Sequence, residues 1–358
     1  MVGLFDSVEF AHGPSSSNRF MLAPLTNLQS HADGTLSDDE FRWLEMRAAG
    51  GFGMTTTCAM HVQPTGQAFV GQLGCFSDVL VPGLTRLASG IHAHGSLAIG
   101  QLHHGGNRAD GKLFGGQPVC PSDDAEFGAR EMTEAEVEES VEAFISAAER
   151  CKTAGFDGVQ VHGAHGYLVC EFLSPETNRR TDKWGGSLKN RSRFMMEIVN
   201  GIRQRCGSDF HVGVRLSPER FGMIETESVQ FFAMLVESGA VDLIDMSLWN
   251  VFKESQCEGF VGQRLIDIFA ELDRGKCKLA VAGRLYDGDD AQRAIDAGAD
   301  VVAIGRAAIS NHDFPKQVRA NPHFKMRETP IPVEVLRAEG LGDAFIEYMR
   351  TWRTFVGE

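Results

Sequence analysis

The sequence predicts an α/β protein built as a single (β/α)8 barrel, with a long loop after the third strand and a C-terminal extension. Short apolar runs alternate with amphipathic segments in eight successive units, a pattern typical of strand–helix repeats around a parallel sheet. A length of 358 residues with 43% hydrophobic residues suits one large barrel with insertions. We therefore expect the whole chain, 1–358, to form one domain.

The apolar runs locate the strands. They are predicted at residues 20–23, 52–56, 97–102, 158–161, 211–216, 243–247, 279–282 and 301–304. Each run has the length of a strand and is followed by residues that favour turns. The residues at the ends of parallel barrel strands project from one rim, where barrels of this kind carry their active sites. Candidate site residues are therefore expected at these strand ends.

Helices are predicted between the strands, and two of them begin with a capping-box pattern. Ser37 is followed by Glu40, and Thr133 by Glu136, a spacing at which two side chains cap each other's backbone amides. Further helices are predicted at 80–94, 190–205, 227–238, 261–272 and 289–297, after the eighth strand, and at 342–355 in the extension. The Gly-, Pro- and Asp-rich segment between the third strand and Met132 is long for a loop, which predicts a lid or a wall of the site.

Composition argues against several classes of function. The formal net charge of −14 disfavours nucleic acid and anionic membranes as partners. The eight cysteines are scattered without a C-x-x-C pair, so neither a zinc ribbon nor an iron–sulfur cluster is expected. The N-terminus has no signal-peptide pattern, and no apolar run is long enough to span a bilayer. We expect a cytoplasmic protein without a bound metal, and the oligomeric state stays open, a homo-oligomer included.

The most informative stretch follows the fourth predicted strand. Its residues V-H-G-A-H-G-Y-L place His162, His165 and Tyr167 close together. Two imidazoles can donate to one carbonyl or nitro oxygen, and a phenol beside them can supply a proton. Together these groups suit the reduction of an electron-poor double bond by hydride. Taken alone, the same histidines are equally suited to binding a metal or satisfying buried carbonyls, with Tyr167 in the core.

The next segment, FLSPETNRRTDKWGGSLKNRSRF at 172–194, extends this stretch into a longer pattern. Together the two resemble the Old Yellow Enzyme family, whose members carry a similar H-x-A-[HN]-G-Y-L, FLSP, N-x-R-T-D and G-G-S run in one register. The resemblance implies a TIM barrel that holds FMN, is reduced by NADPH or NADH and is reoxidised by an activated alkene. It also implies that His162 and His165 hold the substrate oxygen, while hydride comes from flavin N5 and the proton from Tyr167.

Glycine–arginine pairs end the last two predicted strands, as Gly283-Arg284 and Gly305-Arg306. Many such barrels hold a phosphate here, because glycine lets the backbone approach and arginine adds a charged fork of donors. We expect the FMN phosphate at this point. No G-x-G-x-x-G follows any strand, so a separate dinucleotide domain is not expected. Nicotinamide and alkene would then use one cavity in turn, which is a ping-pong mechanism.

Gln101 and Arg215 are expected at the pyrimidine end of the flavin, where the family places equivalent residues. A cation there stabilises the anion that forms when flavin is reduced. The alternative is that Arg215 pairs with an acidic neighbour such as Glu219. The chain departs from the family after Gln101, because Asn107 stands where an arginine is usual.

The first predicted strand ends in A-P-L-T-N, which is similar to the A-P-[LM]-[TC]-[NR] segment of the family. By that resemblance Ala23, Pro24 and Leu25 lie against the flavin, and Thr26 donates to its O4. The second predicted strand ends in threonines, where many family members show an acidic residue. We assign the flavin contact at that strand end to Thr57.

Two other functions are considered. The first is a metal-dependent hydrolase on the same barrel, in which His92, His94, His103 and His104 join the pair of the fourth strand. It is weakened because His92 and His94 end a predicted helix and so lie on the opposite rim. The second is a non-catalytic FMN-binding barrel, against which the proton-donating tyrosine argues. The sequence does not distinguish NADH from NADPH, or enones, enoates, maleimides and nitroalkenes from one another.

The cofactor assignment gives a direct prediction. The purified protein should be yellow and should release noncovalent FMN on heating, because the sequence offers one phosphate site and no adenine-binding fold. Mass spectrometry identifies the released cofactor. FAD, or no flavin after reconstitution, would show that the assignment is wrong.

Overall fold

The computed structural model describes residues 2–357, and its central feature is a closed barrel of eight parallel strands. The strands are β1 (Phe20–Leu22), β2 (Met54–His61), β3 (Leu97–His103), β4 (Gly158–Gly163), β5 (His211–Leu216), β6 (Leu243–Ser247), β7 (Lys278–Ala282) and β8 (Val301–Ile304). Each strand pairs with the next one along the chain, and β8 pairs with β1 to close the barrel. The predicted (β/α)8 TIM barrel is confirmed.

The bounds predicted for the second strand are wrong, because β2 runs on to His61. A β-bulge between Thr56 and Ala59 shifts its register with β3, and a bulge of this kind bends a strand without ending it. Thr57 Oγ1 donates to the Cys58 carbonyl oxygen (2.8 Å) and accepts from the Gln101 backbone amide (3.0 Å). The threonine run therefore lies inside the strand, where it ties the bulge to β3.

The helices surround the barrel. Between residues 2 and 357 they are α1 (Asp38–Ala49), α2 (Val81–His92), α3 (Gly111–Phe114), α4 (Glu134–Thr153), α5 (Leu168–Leu173), α6 (Leu188–Arg191), α7 (Arg193–Cys206), α8 (Glu225–Glu237), α9 (Leu265–Ala270), α10 (Gly288–Asp296), α11 (Arg306–Ser310), α12 (Phe314–Ala320), α13 (Val333–Ala338) and α14 (Asp343–Arg350). The extension holds α12 and α13 besides the predicted helix. Pro315 lies in the first turn of α12 and Pro332 caps α13, positions at which a missing backbone N–H costs a helix nothing. Within the described part of the chain, no helix is long and apolar enough to cross a bilayer.

Of the two predicted capping boxes, one forms completely and the other forms in part. Thr133 and Glu136 form a complete capping box at the start of α4. Ser37 also caps its helix, because its side chain accepts from the Glu40 amide at 3.1 Å. The Glu40 carboxylate, however, turns away and accepts from the Asn27 side chain. It therefore fixes the segment that follows β1 and not the start of α1.

The long segment after β3 packs against the segment after β4. It contains α3 and a two-stranded parallel sheet of Val119–Cys120 and Arg130–Glu131. The Asn107 amide donates to the Glu171 carboxylate (2.9 Å), and the Arg179 amide donates to the Ser122 hydroxyl (2.9 Å). The segment is thus held beside the strand ends, as predicted for a wall of the site.

The apolar core has an inner and an outer layer. The outer layer lies between the strands and the helices and includes Trp43, Phe144 and Phe194. The inner layer fills the barrel with the side chains of Met21, Ala23, Met54, Ile99, Leu243, Ala280, Ala282, Val301 and Ala303. Val8 packs with this inner layer and Phe10 packs against it. The N-terminal segment therefore closes the end of the barrel away from the predicted site.

A buried carboxylate ties this closed end together. Asp242, which is fully buried just before β6, lies 2.6 Å from Arg203 Nη2 and 2.7 Å from His12 Nδ1. It also accepts from the Val212 amide (2.7 Å). These bonds join the N-terminal segment, α7 and β5 at one point.

Asp242→Ala should lower the free energy of unfolding by about 3–5 kcal/mol, because it leaves the Arg203 charge without its buried partner. Chemical denaturation measures the loss. Asp209→Ala is the control, since Asp209 forms an exposed pair with Lys152 and exposed pairs contribute little. Equal effects of the two substitutions would refute the role given to Asp242.

Candidate active site

The histidines at the end of β4 form a hydrogen-bonded unit. His162 Nδ1 lies 3.2 Å from the Ala164 amide nitrogen, and His162 Nε2 lies 3.3 Å from His165 Nδ1. His165 Nε2 lies 2.9 Å from the Ser247 hydroxyl at the end of β6. His165 and Gly166 both have left-handed backbone angles (φ 63° and 69°), and this turn places the two imidazole rings 5.1 Å apart. The structure thus brings the two predicted oxygen-binding residues together.

The hydrogen bonds assign the tautomers of this pair. Since the Ala164 amide donates to His162 Nδ1, the His162 proton is on Nε2 and is donated to His165 Nδ1. The His165 proton is then on its own Nε2, next to Ser247. Burial lowers the pKa of both imidazoles well below the usual value, and the positive charge of Arg215 lowers it further. At neutral pH both rings are neutral N–H donors.

Tyr167 stands beside the pair with its ring held by two neighbours. The ring centroid is 5.4 Å from that of His162 and 4.4 Å from that of His103, in edge-to-face contacts. The guanidinium of Arg108 lies over the ring at 3.8 Å and donates to the His165 carbonyl. From the sequence, His103 was considered only as a metal ligand of the alternative hydrolase, and Arg108 was not assigned to the site. Both residues fix the orientation of the phenol.

A cavity of 540 Å3 extends from His165 to the ends of β7 and β8. Of the residues predicted to bind FMN, those that line it are Ala23, Leu25, Arg215, Gly283, Arg284, Gly305 and Arg306. Pro24 does not line it, but its carbonyl accepts from Arg215 Nη1 (3.3 Å), which does. The structure therefore brings the ends of β1, β5, β7 and β8 to one space.

The predicted phosphate end of the cavity depends on two glycines. A Cβ at Gly283 would lie 2.7 Å from the Trp249 backbone, and the φ of 146° also requires glycine. A Cβ at Gly305 would meet no side chain closer than 3.7 Å, so the space in front of this glycine is open. The Arg306 guanidinium next to it lies 5.1 Å from the Trp352 ring. Trp352, in the extension, lines the cavity and was not predicted.

Arg215 is ion-paired, but its partner is not the predicted one. Its Nε lies 3.1 Å from Asp245 Oδ2 on β6. Glu219, the acidic neighbour considered from the sequence, pairs instead with Lys253. Arg215 also lines the cavity, so it contacts its ion-pair partner and the predicted flavin site together.

Four residues predicted to contact the flavin do not lie on the cavity wall: Pro24, Thr26, Thr57 and Gln101. The Thr57 hydroxyl is used by the bulge of β2, and Gln101 Nε2 donates to Gln160 Oε1 at 2.7 Å. Gln101 and Gln160 are both buried. The flavin contacts of these four residues stay predictions.

The histidines of the alternative hydrolase do not form a metal centre. His92 Nε2 lies 2.7 Å from Asp157, and His94 Nε2 lies 3.7 Å from Glu45. Nδ1 of His103 accepts from the Gln72 amide group at 3.0 Å. In the range 2–357, no three His, Cys, Asp or Glu side chains are grouped so as to hold a metal ion.

Comparison with known proteins places this site in a family. The model of the NADH:flavin oxidoreductase / NADH oxidase family matches residues 4–323. The chain belongs to this family. The match includes every residue that the sequence analysis assigned to the site. The protein is therefore an NAD(P)H-dependent flavin oxidoreductase with FMN as its cofactor.

Individual members of the family agree with this assignment. The chain is 36% identical over 327 residues to the probable NADH-dependent flavin oxidoreductase YqiG of Bacillus subtilis (strain 168), covering 88% of this chain and 87% of that protein. The structure of morphinone reductase in complex with tetrahydroNAD has a TM-score of 0.80 at 29% identity, covering 96% and 97% of the two chains. For the old yellow enzyme homologue from Zymomonas mobilis the TM-score is 0.79 at 26% identity, covering 96% and 99%. The resemblance to the Old Yellow Enzyme family is confirmed.

The residues around the cavity fit FMN. Arg284 and Arg306 supply positive charge at one end, where Gly305 leaves room for a phosphate. Ala23 and Leu25 supply an apolar wall suited to the face of a flat ring. These cations converge although the chain carries a net charge of −14, which indicates a cavity built for an anionic ligand.

Gly305→Ala tests this fit. The added methyl group has space in the empty cavity but occupies the room left for the phosphate, so the Kd for FMN should rise about tenfold or more, equal to about 1.4 kcal/mol. Fluorescence titration of the apoprotein with FMN measures the Kd, and thermal unfolding of the apoprotein should be unchanged. Gly213→Ala is the control, because its Cβ would also have no neighbour closer than 3.5 Å but lies in β5 away from the phosphate end. An unchanged Kd in Gly305→Ala would place the phosphate elsewhere.

Proposed function

We propose that this protein reduces the C=C bond of electron-poor alkenes, with NADPH or NADH as the hydride source, by a ping-pong mechanism. Enones, enoates, maleimides and nitroalkenes are the acceptor classes. The observation that carries the proposal is that His165, which lines the cavity that fits FMN, forms one contiguous cluster with the His162 imidazole and the Tyr167 phenol. FMN, when bound, supplies the two-electron chemistry, accepting hydride from the nicotinamide and giving it to the alkene from N5.

The histidines bind and activate the acceptor. Without an acceptor bound, the His162 N–H is donated to His165 Nδ1 and the His165 N–H lies next to the Ser247 hydroxyl. To hold a carbonyl, carboxyl or nitro oxygen, the two imidazoles would exchange these bonds for bonds to that oxygen. As hydride reaches the β-carbon, negative charge develops on that oxygen, and donors already oriented in a buried site stabilise it. The Ala164 amide, which donates to His162 Nδ1, keeps the tautomer of the pair fixed between turnovers.

Tyr167 supplies the proton that completes the reduction. The α-carbon of the acceptor needs a proton on the face opposite to the hydride, and a phenol holds one at neutral pH. The contacts with His103 and Arg108 fix the ring, so the hydroxyl returns to one position after each turnover.

The remaining predicted residues would hold the cofactor. Arg284 and Arg306, with Gly283 and Gly305, would bind its phosphate. Arg215 would stabilise the negative charge of the reduced ring, with Gln101 toward its pyrimidine edge. Ala23, Pro24 and Leu25 would pack against the ring, with Thr26 and Thr57 as further polar contacts.

One cavity serves both substrates in this proposal. The sequence has no G-x-G-x-x-G after a strand, so a separate nicotinamide domain is not expected. The related morphinone reductase has been solved with tetrahydroNAD, which supports direct binding of the nicotinamide to a barrel of this family. The nicotinamide must then leave before the alkene enters.

Tyr167→Phe separates the two half-reactions, because it keeps the ring and removes only the proton. Reduction of the flavin by NADPH should stay near the wild-type rate, while reoxidation by 2-cyclohexenone should slow about 100-fold or more, the usual contribution of a general acid. Reoxidation by a nitroalkene should slow less, since its nitronate product is stable without carbon protonation. Anaerobic stopped-flow absorbance follows both halves.

Thr85→Val is the control, because it removes an exposed hydroxyl from α2 outside the proposed machinery, and it should change neither rate. If Tyr167→Phe slows both half-reactions equally, or neither, the phenol is structural and the proton comes from another source.

A further inference from the structure

Four buried polar side chains form a continuous chain across one side of the barrel. Gln101 on β3 donates through Nε2 to Gln160 Oε1 on β4 (2.7 Å), and Gln160 Nε2 lies 3.3 Å from Asp245 Oδ2 on β6. The same oxygen lies 3.1 Å from Arg215 Nε on β5. This polar chain, Gln101–Gln160–Asp245–Arg215, links the two residues predicted at the pyrimidine end of FMN.

Asp245 is the carboxylate of this polar chain and is completely buried, with 0% of its surface accessible. Its second oxygen, Oδ1, has no hydrogen-bond partner within residues 2–357. Burial raises the pKa of this carboxyl, and the positive charge of Arg215 opposes that effect. A buried ion pair contributes little net stability compared with apolar packing, so stability alone does not account for this carboxylate.

Asp245 does not reach the cavity itself. Arg215 lines the cavity, whereas Asp245 lies behind it. A carboxylate 3.1 Å from the guanidinium offsets part of its positive charge in the cavity. The cofactor would therefore meet a weaker field than an unpaired arginine would produce.

Asp245 also orients the two glutamines. An ionised carboxylate only accepts hydrogen bonds, so Gln160 must turn its NH2 group toward Asp245 and its carbonyl toward Gln101. Gln101 in turn must direct its NH2 group to that carbonyl. The Asp245 carboxylate thus fixes the orientation of both side-chain amides.

We propose that Asp245 is a positioning residue that lowers the reduction potential of the bound FMN by offsetting the charge of Arg215. Reduced FMN is an anion, and a cation beside it stabilises the reduced state. By weakening that cation, Asp245 makes the reduced cofactor a stronger hydride donor toward the alkene. The inference rests on the proposed position of the FMN pyrimidine ring at Arg215.

Asp245→Asn tests the inference in the FMN-loaded protein. The substitution keeps the shape and removes the charge, so the midpoint potential should rise by about 30 mV or more, a tenfold gain in preference for reduced over oxidised FMN in a two-electron couple. Equilibration with a reference dye measures the potential without any alkene, so a failure of the proposed alkene chemistry does not affect the result.

Asp300→Asn is the matched control. Asp300 pairs with Arg274 (3.5 Å) and precedes β8, at the end of the barrel away from the cavity, so its loss should leave the potential unchanged. Asp245→Glu, which keeps the charge, should stay closer to the wild-type potential than Asp245→Asn. A potential in Asp245→Asn that is unchanged or lower, or an equal shift in Asp245→Glu, would overturn the inference.

A second comparison covers the case in which Asp245→Asn does not fold. Arg215→Gln leaves the carboxylate without its cation, and Arg215→Gln with Asp245→Asn removes both charges. The double variant should have the higher potential of the two, because it lacks the negative charge behind the cofactor. Equal potentials in these two proteins would show that Asp245 does not act through its charge.

Discussion

Closure of the parallel barrel is the constraint on which the site depends. The Ala23 amide donates to the Ile304 carbonyl (3.0 Å), so the end of β1 lies directly beside the end of β8, some 280 residues later in the chain. The same closure aligns the ends of β4, β5, β6 and β7 on one rim. Without it, the residues for the phosphate, the ring and the acceptor would not share one cavity.

The electrostatics of that cavity are opposite to those of the chain as a whole. The protein carries a net charge of −14, yet Arg215, Arg284 and Arg306 line one space. The two histidines next to them stay neutral because burial and the nearby arginine lower their pKa values. In the proposed function, charge serves the cofactor, while neutral donors serve the acceptor, whose oxygen gains charge only during the reaction.

Features formed by residues close together in the sequence were mostly predicted correctly. Every barrel strand, the histidine pair with Tyr167 and the glycine–arginine pairs could be located, because each is a short pattern at a strand end. Asp245 was not found, because it reads as one polar position in the buried run L-I-D-M-S, and its contact with Arg215 depends on strand pairing. The family usually has an arginine one position earlier, at 107, and that pattern pointed toward Arg108. Its contact with Tyr167, however, depends on the fold of the long segment after β3.

The most direct test of the account is an anaerobic titration of the purified yellow protein. One equivalent of NADPH per flavin should bleach the flavin absorbance, and 2-cyclohexenone should then restore it and yield one equivalent of cyclohexanone. This result would show that one site carries out both half-reactions. A protein that is bleached by NADPH but is not reoxidised by 2-cyclohexenone, an enoate, a maleimide or a nitroalkene would contradict the account.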